Sequence, residues 1–356
     1  MILISSTFSS FHFFIKTFFA GFILASLLIL AGCSGQDESE AAQFFLKGNL
    51  KLAEKDYANA IRYYDEALEK KSDFADVHSN RGIAYLKLGD GAKALEDFNK
   101  AIELDKEFYQ AYFNRVEIWI DKRELNLAVN DLEKIRKIYQ DSSNYYLKWG
   151  DLKFEQGYYD QSVAEYDRAI SLRPNNVQAL VNRGVVNFER KDFKAAQIDF
   201  EKALKLDPQQ QLAYNNMALI QAHNRQLGEA EKYINRALDF DPVNPIYLNN
   251  KGYILLLQDK TTDAQKLISQ ALDKTPQNSY AHRNWGLYLL KTNQPKEALV
   301  SLQKAYDLSP ATDQIHLWLG EALLLNQQTD KACKIWKQGT ALGDALSAEK
   351  VNTHCR

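Results

Sequence analysis

Cysteine is nearly absent: there are three in 356 residues, at positions 33, 333 and 355, and none stands in a Cys-x-x-Cys pair. No His-Glu-x-x-His segment and no spaced carboxylate set occurs either, so the familiar metal-site patterns are missing. Charge of one sign is also lacking. The 44 Lys and Arg residues against 46 Asp and Glu give a formal net charge of −2, which excludes the basic footprint of a nucleic-acid-binding domain. The apolar run from Phe18 to Leu30 falls short of the roughly 20 residues that a membrane span requires. The segment Gly89-Asp90-Gly91-Ala92-Lys93 lacks the spacing of a phosphate loop, and the Ser or Thr that should follow its lysine. No serine sits in a nucleophile elbow. The chain is therefore read as a non-enzyme without a catalytic cofactor.

What is abundant is repetition. From Ala41 to Leu346 the sequence recurs every 34 residues, nine times, with no insertion or deletion. Position eight of the period reads Gly48, Gly82, Val116, Gly150, Gly184, Ala218, Gly252, Gly286 and Gly320. Positions twenty and twenty-seven are mostly alanine, and Pro174, Pro208, Pro242, Pro276 and Pro310 fall at position thirty-two. In the fifth copy Leu180, Val181, Gly184, Val185 and Phe188 recur at steps of three and four, one face of a helix. After the polar break Arg190-Lys191-Asp192, a second amphipathic stretch runs from Phe193 to Leu204 and stops before Pro208, since proline disfavours helix in the residue ahead of it. Each copy is thus a helical hairpin with an apolar face that only a stacked neighbour buries. Glycine inside a helix costs about 1 kcal/mol relative to alanine, so its recurrence at position eight calls for close packing. A leucine at Gly252 or Ala237 is expected to overpack a junction between repeats.

These residues resemble the tetratricopeptide repeat (TPR). The resemblance implies an all-α, right-handed superhelical solenoid of nine helix-turn-helix repeats (41–74, 75–108, 109–142, 143–176, 177–210, 211–244, 245–278, 279–312 and 313–346) with a concave groove. Gly343-Asp344 reads as a helix stop followed by an N-cap, so residues 344–356 are expected to form a capping helix. Repeat three departs from the pattern, with Val116, Ile135 and Gln140 at positions otherwise small or proline, and the polar run Gln140 to Asn144 follows it. The reading is either a hinge or a differently packed junction.

The front end has another composition. Lys16, the apolar run and then Leu30-Ala31-Gly32-Cys33 resemble a bacterial lipoprotein signal peptide with its lipobox. The resemblance implies removal of residues 1–32, a diacylglycerol on the Cys33 sulfur and an acyl chain (palmitate and its like) on its new amino group. Ser34, where retained lipoproteins often have aspartate, points to the periplasmic face of the outer membrane. An uncleaved anchor is the alternative. Residues 33–40, ending in Ser34-Gly35-Gln36-Asp37-Glu38-Ser39-Glu40, are read as lipidated cysteine and flexible tether.

By the TPR resemblance, first-helix positions five and six face the groove. Asn80, Asn114, Asn182, Asn216, Asn250 and Asn284 occupy position six, with Asn215, Asn249 and Arg283 at position five. An amide offers donors and an acceptor, so this row suits the backbone of an extended peptide or helix from a protein partner. It equally suits hydrogen bonds between helices. The family's clamp for a C-terminal carboxylate is not present: Asn49 and Asn80 fill two of its places, but Phe45, Gln110 and Asn114 stand where it needs cations. His78, His282 and His316 share position four with tyrosines, leucines and Phe44, and read as packing residues. Cys333 and Cys355 form a possible disulfide, two buried thiols or a metal pair without further ligands. The chain is read as a membrane-anchored scaffold for protein binding in the bacterial cell envelope, or alternatively as a structural or self-associating spacer with no groove ligand.

Overall fold

The computed structural model describes the backbone of residues 21–355 and the side chains of residues 36–355. The expected signal segment therefore lies outside the described residues over positions 1–20, and so does the side chain of Cys33. Among the described residues all regular structure is helical. The chain divides into two compact units between Gln140 and Asp141, inside the polar run after repeat three.

Unit one contains α1 (Gly21–Ala53), α2 (Tyr57–Lys70), α3 (Ala75–Lys87), α4 (Gly91–Leu104), α5 (Tyr109–Asp121) and α6 (Leu125–Tyr139). Unit two contains α7 (Ser143–Glu155), α8 (Tyr159–Leu172), α9 (Val177–Glu189), α10 (Phe193–Leu206), α11 (Gln211–His223), α12 (Leu227–Phe240), α13 (Pro245–Leu257), α14 (Thr261–Lys274), α15 (Ser279–Lys291), α16 (Pro295–Leu308), α17 (Ile315–Leu325), α18 (Thr329–Ala341) and α19 (Ala345–His354). Within each unit, first helices of successive repeats touch one another while second helices do not, so the first helices line the inner side of the stack. Among the described residues no helix is long and apolar enough to cross a membrane.

Local chemistry sets each hairpin. The fifteenth residue of every repeat takes a left-handed conformation, as at Gly89 (φ 82°), Gly157 (φ 77°), Lys191 (φ 62°) and Asp259 (φ 61°). The next amide then reaches back to close the helix end, as where Asp56 N donates to Lys51 O at 2.9 Å. In three repeats the following residue, Asp56, Asp90 or Asp192, caps the second helix by accepting an amide proton three residues on. The second helix stops where the residue before the proline turns extended, as at Arg173 and Asp207.

The position-eight glycines lie under the side chain at position twenty-four of their own hairpin. A Cβ on Gly82 would stand 2.8 Å from Phe98, one on Gly184 2.7 Å from Phe200, and one on Gly252 2.5 Å from Ile268. This corrects one expectation. Gly252 closes the two helices of one repeat on each other, whereas Ala237, in a cluster with Tyr247 and Ile254 of the next repeat, serves the junction.

A second correction concerns the tether. Residues 36–40 are helical and continuous with repeat one. Glu40 meets Lys70 at 2.6 Å, Asp37 meets Lys70 at 3.7 Å, and Glu38 pairs with Lys71. Lacking proline and running into good helix formers, this acidic stretch extends α1 and lies against the basic end of α2.

Candidate ligand-facing surface

The asparagine row sits on the first helices, and most of its amides already have partners. Asn80 Nδ2 donates to Asn49 Oδ1 at 2.8 Å, and the Tyr64 hydroxyl donates to the same oxygen at 2.8 Å. Burial pushes the Tyr64 phenol up to about 12, against the opposing bond from Asn80. Three repeats on, Asn182 Nδ2 (2.7 Å) and the Tyr166 hydroxyl (2.6 Å) share Asp151 Oδ1. Asn250 donates to Asn215 Oδ1 at 2.8 Å, and Asn284 to Asn249 Oδ1 at 2.9 Å. Each of these four amides ties its repeat to another.

The remaining two differ. Asn216 bonds back to Leu212 O at 2.9 Å. Asn114 accepts from Gln110 at 3.1 Å, while its own Nδ2 is buried without a partner.

Burial decides how much of the row can meet a ligand. Asn284 is 0% exposed, and Asn249, Asn215 and Asn216 are also buried. The reading of these four as ligand contacts is corrected here: they are enclosed by neighbouring first helices, where an amide left unpaired would cost about 1–3 kcal/mol. Asn80, Asn114, Asn182 and Asn250 keep part of their surface. Arg283 is enclosed as well. Its Nε and Nη2 donate to Asn284 Oδ1 at 3.0 and 2.7 Å, its Nη1 donates to Asp313 O at 2.8 Å, and its guanidinium lies 4.8 Å from the Tyr253 ring and 5.4 Å from that of Tyr280.

Arg283 and Asn250 instead form part of the wall of a cavity of about 530 Å³ within unit two, with Glu189, His223, Tyr253 and Tyr280 among its other lining residues. Residues 342–346, where α18 turns into α19, close one side of it. Lys191 Nζ, from repeat five, stands 4.0 Å from Asp313 of repeat nine across this space. Desolvation first, and the negative charge of Asp313 second, raise the Glu189 carboxyl above its ordinary range, although the side chain keeps solvent-accessible surface. Burial and then Glu189 raise the Tyr280 phenol.

One recurrent feature was missed in the sequence. Arg81, Arg115 and Arg183 at position seven each grip an aspartate sixteen residues on. Arg81 holds Asp97 through Nε (2.9 Å) and Nη2 (2.7 Å), and Arg115 holds Asp131 at 2.8 and 2.6 Å. The third nitrogen reaches the preceding repeat, at Asp65 or Asn99 (2.6 Å each). Arg183 repeats this with Asp199 and Asp167. The Arg-x15-Asp spacing in three repeats was the available signal.

His78, His282 and His316 are buried. His282 Nε2 donates to the Pro276 carbonyl at 2.9 Å and His78 Nε2 to that of Ser72 at 3.0 Å, each fastening position four to the end of the preceding repeat. Cys333 and Cys355 are joined, with Cα atoms 5.6 Å apart, tying α18 to the end of α19. Among the described residues no group of three or more His, Cys, Asp or Glu could hold a metal ion.

Family models described as tetratricopeptide repeat match residues 75–108, 177–210, 200–232, 249–311 and 283–336, and one described as TPR repeat matches 48–89 and 150–191. The chain is built of tetratricopeptide repeats. No curated protein sequence matches it. Among solved structures, the TPR array is similar to a chain of the APC/C heterotetramer Cut9–Hcn1, with TM-score 0.63 and 13% identity over 89% of this chain and 76% of that one. It is also similar to PilF of Pseudomonas aeruginosa, with TM-score 0.50 and 20% identity over 58% of this chain and 94% of that one. At such identities the likeness shows the fold, a TPR α-solenoid. TPR proteins are typically non-enzymatic scaffolds that bind protein partners such as peptides.

Proposed function

We propose that this protein is a lipid-anchored TPR scaffold of the bacterial cell envelope, carried by Cys33 on the periplasmic face of the outer membrane. On this reading its second unit takes segments of partner proteins on its inner face. The observation that carries the binding part is the open cavity among repeats five to nine, together with an accessible apolar row at position two, Leu212, Ile246 and Tyr280 (43, 53 and 45% exposed). Tyr280 lines that cavity, and solvent-facing apolar side chains on the first helices are what a partner segment needs to bury surface. The anchoring part is supported by the lipobox residues Leu30 to Cys33 and the serine after them. An acylated cysteine followed directly by helix would hold repeat one close to the membrane surface, where modest affinities suffice because local concentration is high.

Crosslinking in intact cells tests this, with captured proteins identified for the wild type and for a Leu212→Ser, Ile246→Ser, Tyr280→Ser variant. Partners caught by the first and lost by the second would support the scaffold. Capture of nothing but further copies of the chain, equal in both, would favour the spacer reading instead. Cys33→Ser is expected to lose lipid label and leave the membrane pellet.

A further inference from the structure

The Cys333–Cys355 link differs from a core disulfide in where it lies and in what it holds. Both cysteines keep accessible surface. They form part of the wall of an open cleft of about 800 Å³ between α18 and the end of α19. Lys334 and Lys337 line the same cleft, against one carboxylate among the described residues, Asp330. The helix that the link holds has little else to keep it in place. α19 is ten residues long, a marginal length for a helix on its own. The residue it buries is Ser347, small and polar, set against Gly339 of α18. Its apolar contacts with the core of unit two come from Val351 and Cys355, both only partly buried. Lys350 adds a partly solvated pair with Glu321 at 2.8 Å. Residues 344–346, where this helix begins, belong to the wall of the 530 Å³ cavity.

We infer that Cys333–Cys355 is a site of thiol–disulfide exchange, and that its reduction by a dithiol unlatches α19 and removes one wall of the cavity. A thiolate of the reductant attacks Cys355 Sγ at the C-terminal end of α19. A new S–S bond forms there, the Cys333–Cys355 bond breaks, and the Cys333 sulfur leaves with the electron pair as a thiolate. Lys337, one turn along α18, and Lys334 favour that negative charge. The reductant's second thiol gives up its proton and displaces Cys355 from the mixed disulfide. The dithiol is thereby oxidised to a disulfide, and its two protons pass to the two cysteines. Accessible disulfides are the labile ones. Once the link is cut, Ser347, Val351 and one surface ion pair must hold α19 against the backbone entropy of ten residues. This stands whether or not a partner enters the cavity.

Dithiothreitol added to the mature chain tests it, with free thiols trapped by iodoacetamide and counted by mass, and hydrogen exchange read on the same samples. The native chain is expected to be reduced at a rate within about tenfold of the rate in urea, where the link is fully exposed. Exchange in residues 345–354 should then rise by about a hundredfold or more, while α7 to α10 stay as protected as before. Lys334→Gln with Lys337→Gln should slow reduction of the native chain severalfold and leave the rate in urea unchanged. Cys333→Ser with Cys355→Ser should show the fast α19 exchange with and without dithiothreitol. A native rate more than tenfold below that in urea, or ready reduction that leaves α19 protected, would overturn the inference.

Discussion

Asn284 Nδ2 donates to Asn249 Oδ1 at 2.9 Å across the seam between repeats seven and eight, while Asn284 Oδ1 takes two bonds from Arg283. The amide is saturated and has no accessible surface. Asn284→Ala would leave Asn249 and Arg283 short of partners inside the array. A loss of about 1–3 kcal/mol is expected, read as a lower urea midpoint with little change in slope. Asn80→Ala, partly solvated, should cost less. Equal, negligible losses at both sites would show that the row does not hold the repeats together.

The glycine contact can be tested by compensation. Gly252→Ala drives a methyl against Ile268 and should destabilise unit two by about 1–3 kcal/mol. Adding Ile268→Ala removes the Cγ1 that would stand 2.5 Å from the new methyl, so the double variant should lose less than the two single losses combined. Strict additivity would place the clash elsewhere.

Arg183 and Asp199 form the most asymmetric test. Asp199 is 2% exposed, so Arg183→Met strands a carboxylate in the core, at a cost of about 3 kcal/mol or more. Asp199→Leu on that background should recover much of it, since an apolar pair needs no compensation. Chemical denaturation of the single and double variants decides.

For the disulfide, Cys333→Ser with Cys355→Ser should cost about 2–4 kcal/mol of local stability, the usual worth of a link that closes a short loop. The loss should show as faster hydrogen exchange in α18 and α19, with exchange in α7 to α10 unchanged. Uniformly faster exchange would contradict a local staple.

Two histidines give unit two a pH dependence. Burial holds His282 and His316 below their ordinary value of 6.5. Below pH 6.5 the unfolded chain takes up protons that the folded chain refuses, so their contribution is complete above that pH and is lost as pH falls beneath it. The melting temperature should drop between pH 7 and pH 5 for this reason, and less so in His282→Gln, whose side chain can still donate to the Pro276 carbonyl. An identical pH slope in that variant would remove His282 from the account.

The sequence by itself determined the elements. Helix periodicity, a glycine or alanine at position eight and a proline at thirty-two act within one 34-residue period, so local rules suffice to write the hairpins and their stacking. Tertiary structure decided what the polar side chains do. Position six was visible as a row of asparagines, but whether an amide meets solvent or its neighbour depends on how far one first helix turns against the next. That rotation turned Asn284 inward and left Asn250 at the cavity wall. The cavity itself, with Glu189 on α9 and Asp313 at the start of repeat nine, joins residues more than three repeats apart. No pattern confined to one period records such a meeting, because it arises from small rotations accumulated over successive repeats.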